Sequence, residues 1–332
     1  MLYAPVVIPT LNRFEHFKQC LESLERCNNA DKTEVYVALD YPPSDKYVEG
    51  WRKIDEYLSV KESCHLFKKL TVYRREKNYF FSEEGNAEPV INEISKEYDR
   101  YIFSEDDNIF GFGFLDFINK GLEEFKDDNR VLAICGYSHF DITNDSISTV
   151  GYNAFSNKSY FSWWGCGTWI NRKLGDQNNL EYCRIPFYDK TTMKRVKSIP
   201  DSFKYMMLSL KSGIRCKQTD VFQTLRVLIF DYCTITPISS LVYNLGYDDS
   251  GVHKLVGRDK KLYSEIIIDN EPFTSLSLAP EDLSNKISRW IINKYSYKGE
   301  VRPWMHILCF LIKTLGYDRY LRFNHFLRKC IK

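Results

Sequence analysis

Over the first 135 residues, short apolar runs alternate with stretches whose apolar residues fall three or four apart, and this alternation constrains the fold more than any other feature. Residues 2–8 form a continuous apolar run ending at Pro9, as expected of a strand buried on both faces. Phe14, Phe17, Leu21 and Leu24 then mark one face of a helix, with Thr10 or Asn12 available as its cap. A second strand is expected over 34–39, stopping at Asp40. A helix over 47–60 and a third strand over 70–74 follow, then a helix over 92–98. A fourth strand over 101–103 runs straight into Ser104-Glu105-Asp106-Asp107. A helix over 114–125 and a strand over 131–135 complete the series. Strands alternating with helices imply right-handed βαβ units and an α/β fold with a mostly parallel, Rossmann-like sheet flanked by helices.

Ligands of such sheets bind beyond the carboxyl ends of the strands. Three strand ends here are polar: Pro9-Thr10 with Asn12 and Arg13, then Asp40, then the acid triplet Glu105-Asp106-Asp107. Arg74, Arg75, Lys77 and Asn78 follow the third strand. Three consecutive acids repel one another unless a positive charge sits beside them. Carboxylates with few other ligands suit Mn²⁺ or Mg²⁺ shared with a substrate's phosphates. The triplet therefore reads as a metal–diphosphate site, with Arg13, Arg74 and His253 as candidates to share the phosphate charge.

The second half is less regular. Residues 162–169 (SWWGCGTW) read as an aromatic loop. Trp163, Trp164 and Trp169 could stack on a sugar, and Gly165 and Gly167 suggest close backbone approach to a ligand. Helices are expected over 201–212, stopped by Gly213, and over 220–230, opened by Asp220. Residues 237–243 are strand-like, and 244–253 read as a loop carrying Gly246, Gly251 and His253.

Hydrophobic residues at 44% and charged residues at 27% exclude wholesale disorder, and a net charge of +2 argues against a dedicated nucleic-acid binder. No apolar run reaches the roughly 18 residues needed to cross a bilayer. The first residues lack the basic start of a secretion signal. The ten cysteines contain no C-x-x-C pair, so neither a zinc site nor a disulfide framework is indicated. Reduced thiols in a cytoplasmic protein are the expectation. Residues 302–332 differ from the rest, with seven Lys and Arg against one acid. Apolar residues at helix spacing on either side of Gly316 predict a basic amphipathic helix pair. Such a pair either meets an anionic membrane surface, peripherally at the inner membrane, or packs on the body.

Taken in order, these segments resemble the GT-A glycosyltransferases, in particular N-acetylglucosaminyltransferase I and bacterial family-2-like sugar transferases. VVIPTLNR, ending at Arg13, and QCLESL, residues 19–24, resemble the nucleotide-binding first strand and helix. Asp40 resembles the acid that reads the base, and Ser104-Glu105-Asp106-Asp107 resembles the DxD-type motif whose last acid binds the metal. Residues 161–169 resemble the acceptor-side loop, although Gly165-Cys166-Gly167 stands where relatives carry Gly-Trp-Ala. Asp220, with the later Gly251-Val252-His253, resembles the segment that carries the catalytic base and closing loop; Asp201 and Asp231 are alternates for the base. The resemblance covers about residues 1–255. It implies an inverting, metal-dependent transfer from a nucleotide diphosphate sugar to a glycan or lipid-linked glycan acceptor, as in bacterial surface polysaccharide assembly. Two other readings stand beside it. A sugar nucleotidyltransferase would usually carry a glycine-rich loop where this chain has Pro9–Arg13; an inactive sugar-binding module would need neither Asp107 nor a metal. The division expected is a donor half over 1–136, an acceptor half over 137–300 and the helical tail over 301–332.

Overall fold

The computed structural model describes residues 2–79, 85–143, 146–172, 174, 179–213, 219–248, 268–296 and 301–330. In chain order these give β1 (Val6–Thr10), α1 (Phe14–Glu25), β2 (Glu34–Leu39), α2 (Asp45–Cys64), β3 (Lys69–Arg74), α3 (Glu88–Ile94) and β4 (Arg100–Phe103). Next come β5 (Asn108–Phe110), α4 (Phe114–Glu124), β6 (Val131–Cys135), β7 (Ala154–Asn157) and β8 (Cys166–Trp169). The helices α5 (Asn179–Tyr182), α6 (Lys190–Ser198), α7 (Pro200–Ser212) and α8 (Thr219–Phe230) follow. The chain ends with β9 (Cys233–Pro237), β10 (Val242–Asn244), α9 (Glu281–Tyr295), α10 (Pro303–Leu315) and α11 (Tyr317–Cys330).

Two compact units emerge. The first gathers residues 1–157, 162–174 and 234–287, and the second gathers 158–161, 175–233 and 288–332. The first is built on an eight-stranded sheet of order β3-β2-β1-β4-β8-β6-β9-β7. β3, β2, β1 and β4 are parallel neighbours. β8 runs against both β4 and β6, so β6 returns to the direction of the first four. The α/β architecture, the parallel half-sheet and the helical C-terminal region are those anticipated. Val6, Val7, Ile8, Val35, Val37 and Leu39 are wholly buried, which is why β1 and β2 lack polar alternation. On α4, Phe114, Leu115, Phe117, Ile118 and Leu122 form the apolar stripe that covers the sheet.

Several local expectations are corrected. Only the first part of residues 162–169 is loop; Cys166–Trp169 is a central strand, because β-branched Thr168 and aromatic Trp169 suit a strand. Gly165 and Gly167 do approach something closely, but it is the protein itself. A side chain on Gly165 would strike Phe114 and Val242, and one on Gly167 would strike Ile118 and Leu122. The strand expected over 237–243 is split: β9 ends at Pro237, and β10 begins at Val242 after a bend. The third helix starts at Glu88, with Pro89 in its first turn, rather than at 92. Neither Thr10 nor Asn12 caps α1: Arg13 holds that position and its side chain makes no capping bond.

β5 and β10 form a separate antiparallel ribbon, with Asn244 opposite Asn108. The second unit is helical. Met193, Phe203, Met206, Met207, Leu225 and Ile312 belong to its core. The break at Gly316 is real: its φ is +79°, which separates α10 from α11. The eight described cysteine side chains are free thiols.

Candidate functional site

The strand ends converge as the alternation requires. The Asp40 N–H donates to the Thr10 carbonyl at 2.9 Å, and the Ser104 N–H donates to that of Val7 at 3.0 Å. Beyond this edge, the Thr10 hydroxyl donates to Asp106 Oδ2 at 2.8 Å. Arg13 bridges the two acids: one guanidinium nitrogen donates to Asp106 Oδ1, and Nη1 lies 2.7 Å from Asp107 Oδ2. Asn244 Nδ2 donates to Asp107 Oδ1 at 2.6 Å and to Asn108 Oδ1 at 3.0 Å. The Leu245 N–H donates to the Asp107 carbonyl at 2.7 Å. Asp106 and Asp107 are both buried.

Burial pushes the Asp106 carboxyl above its usual range; Arg13 opposes this and Asp107 adds to it. Burial works against the Arg13 charge as well, but the two carboxylates outweigh it and hold the guanidinium more firmly protonated than usual. The acids thus have the positive neighbour that three adjacent carboxyls demand, and it is supplied from within the chain.

The other strand-end residues divide. Asp40 is buried, and its Oδ1 accepts from the N–H groups of Tyr41 at 2.9 Å and Tyr79 at 2.8 Å. Its Oδ2 accepts from Asn78 Nδ2 at 3.1 Å, so Asp40 and Asn78 are brought together. Arg75 turns inward onto Asn86, with Nε–Oδ1 at 3.0 Å. Arg74 is not brought to the acids; it lies on α2, where it pairs with Asp55 at 2.6 Å and Glu62 at 3.0 Å. Pro9 sits within β1 opposite Ala38, and the backbone of Asn12 is pressed against Gly50 of α2.

Trp164 Nε1 donates to Glu105 Oε2 at 2.9 Å, which ties the loop before β8 to the acid triplet. The Trp164 ring meets Tyr137 edge-on at 4.5 Å and Tyr247 at 5.9 Å, and Tyr137 meets His139 at 4.9 Å. Burial drops the His139 pKa to about 3, so its imidazole is neutral. Gly165 holds a left-handed φ of +64° beside Trp164. Trp169 is elsewhere: it pairs with Arg100 at the start of β4, whereas the acids follow the end of that strand. Asp220 is exposed in the first turn of α8 and Asp201 is half-buried in the first turn of α7, both in the second unit. Asp231, with φ of +56°, pairs with Arg195 at 2.8 Å. His253 lies outside the described residues.

Sequence reasoning missed Asn244 and Gly246. A side chain on Gly246 would fall 2.6 Å from Asp107 Oδ2 and 2.8 Å from Asn244 Oδ1. The available signal was Asn-Leu-Gly directly after an apolar run, a pattern that places a polar end beside a glycine.

Among the described residues, no group of three or more His, Cys, Asp and Glu side chains is arranged to hold a metal ion. A protein-only cage is therefore absent from them. Asp106 and Asp107 do fit the other kind of hard-cation site, one or two carboxylates completed by a ligand's phosphates, with Arg13 now providing the positive charge.

No protein-family model and no curated protein matches the chain. Among solved structures, it is similar to the mannosyltransferase PcManGT from Pyrobaculum calidifontis in complex with GDP-Man and Mn²⁺. Identity is 12%, coverage is 68% of this chain and 69% of that one, and the TM-score is 0.36. It is similar to residues 1–349 of S. aureus TarS in complex with UDP, at 10% identity over 98% and 91% of the two chains, with a TM-score of 0.37. It is also similar to the glycosyltransferase GlyE of Streptococcus pneumoniae TIGR4, at 12% identity over 90% and 65% of the chains, with a TM-score of 0.30.

Proposed function

We propose that the chain is an inverting glycosyltransferase that takes a nucleotide diphosphate sugar and glycosylates a hydroxyl of a glycan or lipid-linked glycan, in the assembly of a bacterial surface polysaccharide. The observation that supports it is the buried Asp106–Arg13–Asp107 bridge beyond the carboxyl edge, beside Thr10 and Asp40. That edge is where a parallel sheet receives a nucleotide. The Arg13 guanidinium that bridges two carboxylates has the fork of donors that also suits a diphosphate. Mn²⁺ or Mg²⁺ held by Asp107, with Asp106 and Glu105 nearby, would neutralise the diphosphate leaving group as a Lewis acid.

In this reading Asp40, with Asn78, holds the base and Thr10 steadies Asp106. Trp164 presents an apolar face to the acceptor sugar at the turn formed by Gly165. His253 closes on the pyrophosphate and excludes water, because hydrolysis of the donor competes with transfer. Asp220 is the general base that takes the proton of the acceptor hydroxyl.

The test is calorimetric titration of UDP- and GDP-sugars with and without Mn²⁺, on the wild type and on Asp107→Asn. Binding that Mn²⁺ strengthens in the wild type, at least tenfold weaker in Asp107→Asn, is the expected result. Equal Mn²⁺-dependent binding in both would remove the site. Asp220→Asn should keep donor affinity and lose about 10²–10⁴-fold in turnover; near wild-type turnover would exclude Asp220 as base.

A further inference from the structure

The charge of the chain is unevenly divided between its units. Residues of the helical unit include 21 Lys and Arg against eight Asp and Glu, a net +13, while those of the sheet unit include 25 against 36, a net −11. The overall +2 conceals this split. Within the helical unit, α10 is apolar on two faces. Met305, Leu308, Cys309 and Ile312 are buried in the core with Met206, Met207 and Leu210. The opposite stripe, Pro303, His306, Ile307, Phe310, Lys313 and Thr314, is exposed at helical spacing. Ile307 is 60% and Phe310 67% exposed, so two large apolar side chains stand in water half a turn to a turn apart.

Cations surround that stripe. Lys211 of α7 lies 4.4 Å over the ring of Trp304, and Arg302 and Lys313 are exposed at either end of α10. On α11, Arg319 and Arg322 are exposed beside Phe323, itself 46% exposed. The one acid of this pair of helices, Asp318, is matched by Arg184 at 3.3 Å.

We propose that the outer face of α10, with the basic residues around it, docks on an anionic lipid bilayer, Ile307 and Phe310 entering the headgroup–acyl boundary. Basic residues draw the face to anionic headgroups, and apolar side chains that can leave water hold it there; neither suffices alone. A second copy of this face would meet its own positive charge. A nucleic acid would use the cations but gain nothing from an exposed isoleucine. α10 lies on the bilayer, since no described helix is long and apolar enough to cross one.

The full chain would be sedimented with phosphatidylcholine vesicles and with vesicles containing about one-third phosphatidylglycerol, at low and high salt. Binding confined to the anionic vesicles and weakened by salt is expected. The double variant Ile307→Ser/Phe310→Ser should bind them at least tenfold more weakly while its circular dichroism and melting temperature stay at wild-type values. As a second readout, Phe310→Trp should show a blue-shifted emission with anionic vesicles only. Equal binding to both vesicle types, unchanged binding by the double variant, or no emission shift would each overturn the proposal. Binding to duplex DNA that survives the double variant, without vesicle binding, would show a polyanion surface in its place.

Discussion

Removing the Arg13 charge is the sharpest challenge to the site. In Arg13→Met two buried carboxylates lose the cation between them. The side chains of Asp106 and Asp107 are only 11% and 6% exposed, so water cannot replace it fully, while Arg13 at 21% shows that some solvent reaches the bridge. Breaking a fully buried ion pair costs about 3–5 kcal/mol; with that partial exposure, about 2–4 kcal/mol is expected here. The cost must depend on pH in a definite sense. Burial already lifts Asp106 above its usual range, and without Arg13 it rises further. A carboxyl whose folded pKa exceeds its unfolded one contributes full stability below the unfolded value and loses it as pH rises through the folded value. The variant should therefore lie closest to wild type below about pH 4, the unfolded carboxyl value, and fall progressively further behind as pH rises above it. Urea unfolding followed by tryptophan fluorescence measures this. Adding Asp106→Asn should recover about half the deficit at neutral pH, because one buried charge is then gone. A variant within about 0.5 kcal/mol of wild type at neutral pH, or a deficit independent of pH, would refute the reasoning.

Two further expectations follow from the packing. Gly167→Ala forces a methyl group into Ile118 and Leu122, and should cost about 1–3 kcal/mol in urea unfolding without changing the far-ultraviolet spectrum. His139 is held neutral, with its pKa dropped to about 3; a group so depressed gives stability above its unfolded pKa and loses it as pH falls. Stability should therefore decline from about pH 6.5 toward 3, and His139→Gln should flatten that slope in a pH series of thermal melts.

The sheet was legible because β1, β2 and β4 are buried on both faces and end abruptly in polar residues, a pattern that needs no tertiary knowledge. Thr10, Arg13, Asp106 and Asp107 were legible for the same reason: strand ends on one edge must meet. Cys166–Trp169 was harder, since glycines and tryptophans suggest a loop until α4 is known to press on Gly165 and Gly167. Arg74 and Arg75 illustrate the limit of reading strand ends. Successive residues of a strand point to opposite faces, and it is Arg75 that turns inward while Arg74 meets the acids of α2. Asn244 could not be assigned from spacing at all, because its relation to Asp107 is made by the antiparallel pairing of β10 with β5, 137 positions away in sequence.

The ribbon of β5 and β10 has a consequence during synthesis. Thr10 reaches Asp106 across 96 positions, but Asp107 must wait for Asn244, another 137 positions downstream. A ribosome that has just released the fourth strand therefore holds a nascent chain whose key carboxylate lacks its amide partner. Contacts of such long sequence separation form late. The last bond to the carboxylate is thus among the final events of maturation, and a chain halted before residue 244 carries the outline of a binding edge without its finished chemistry.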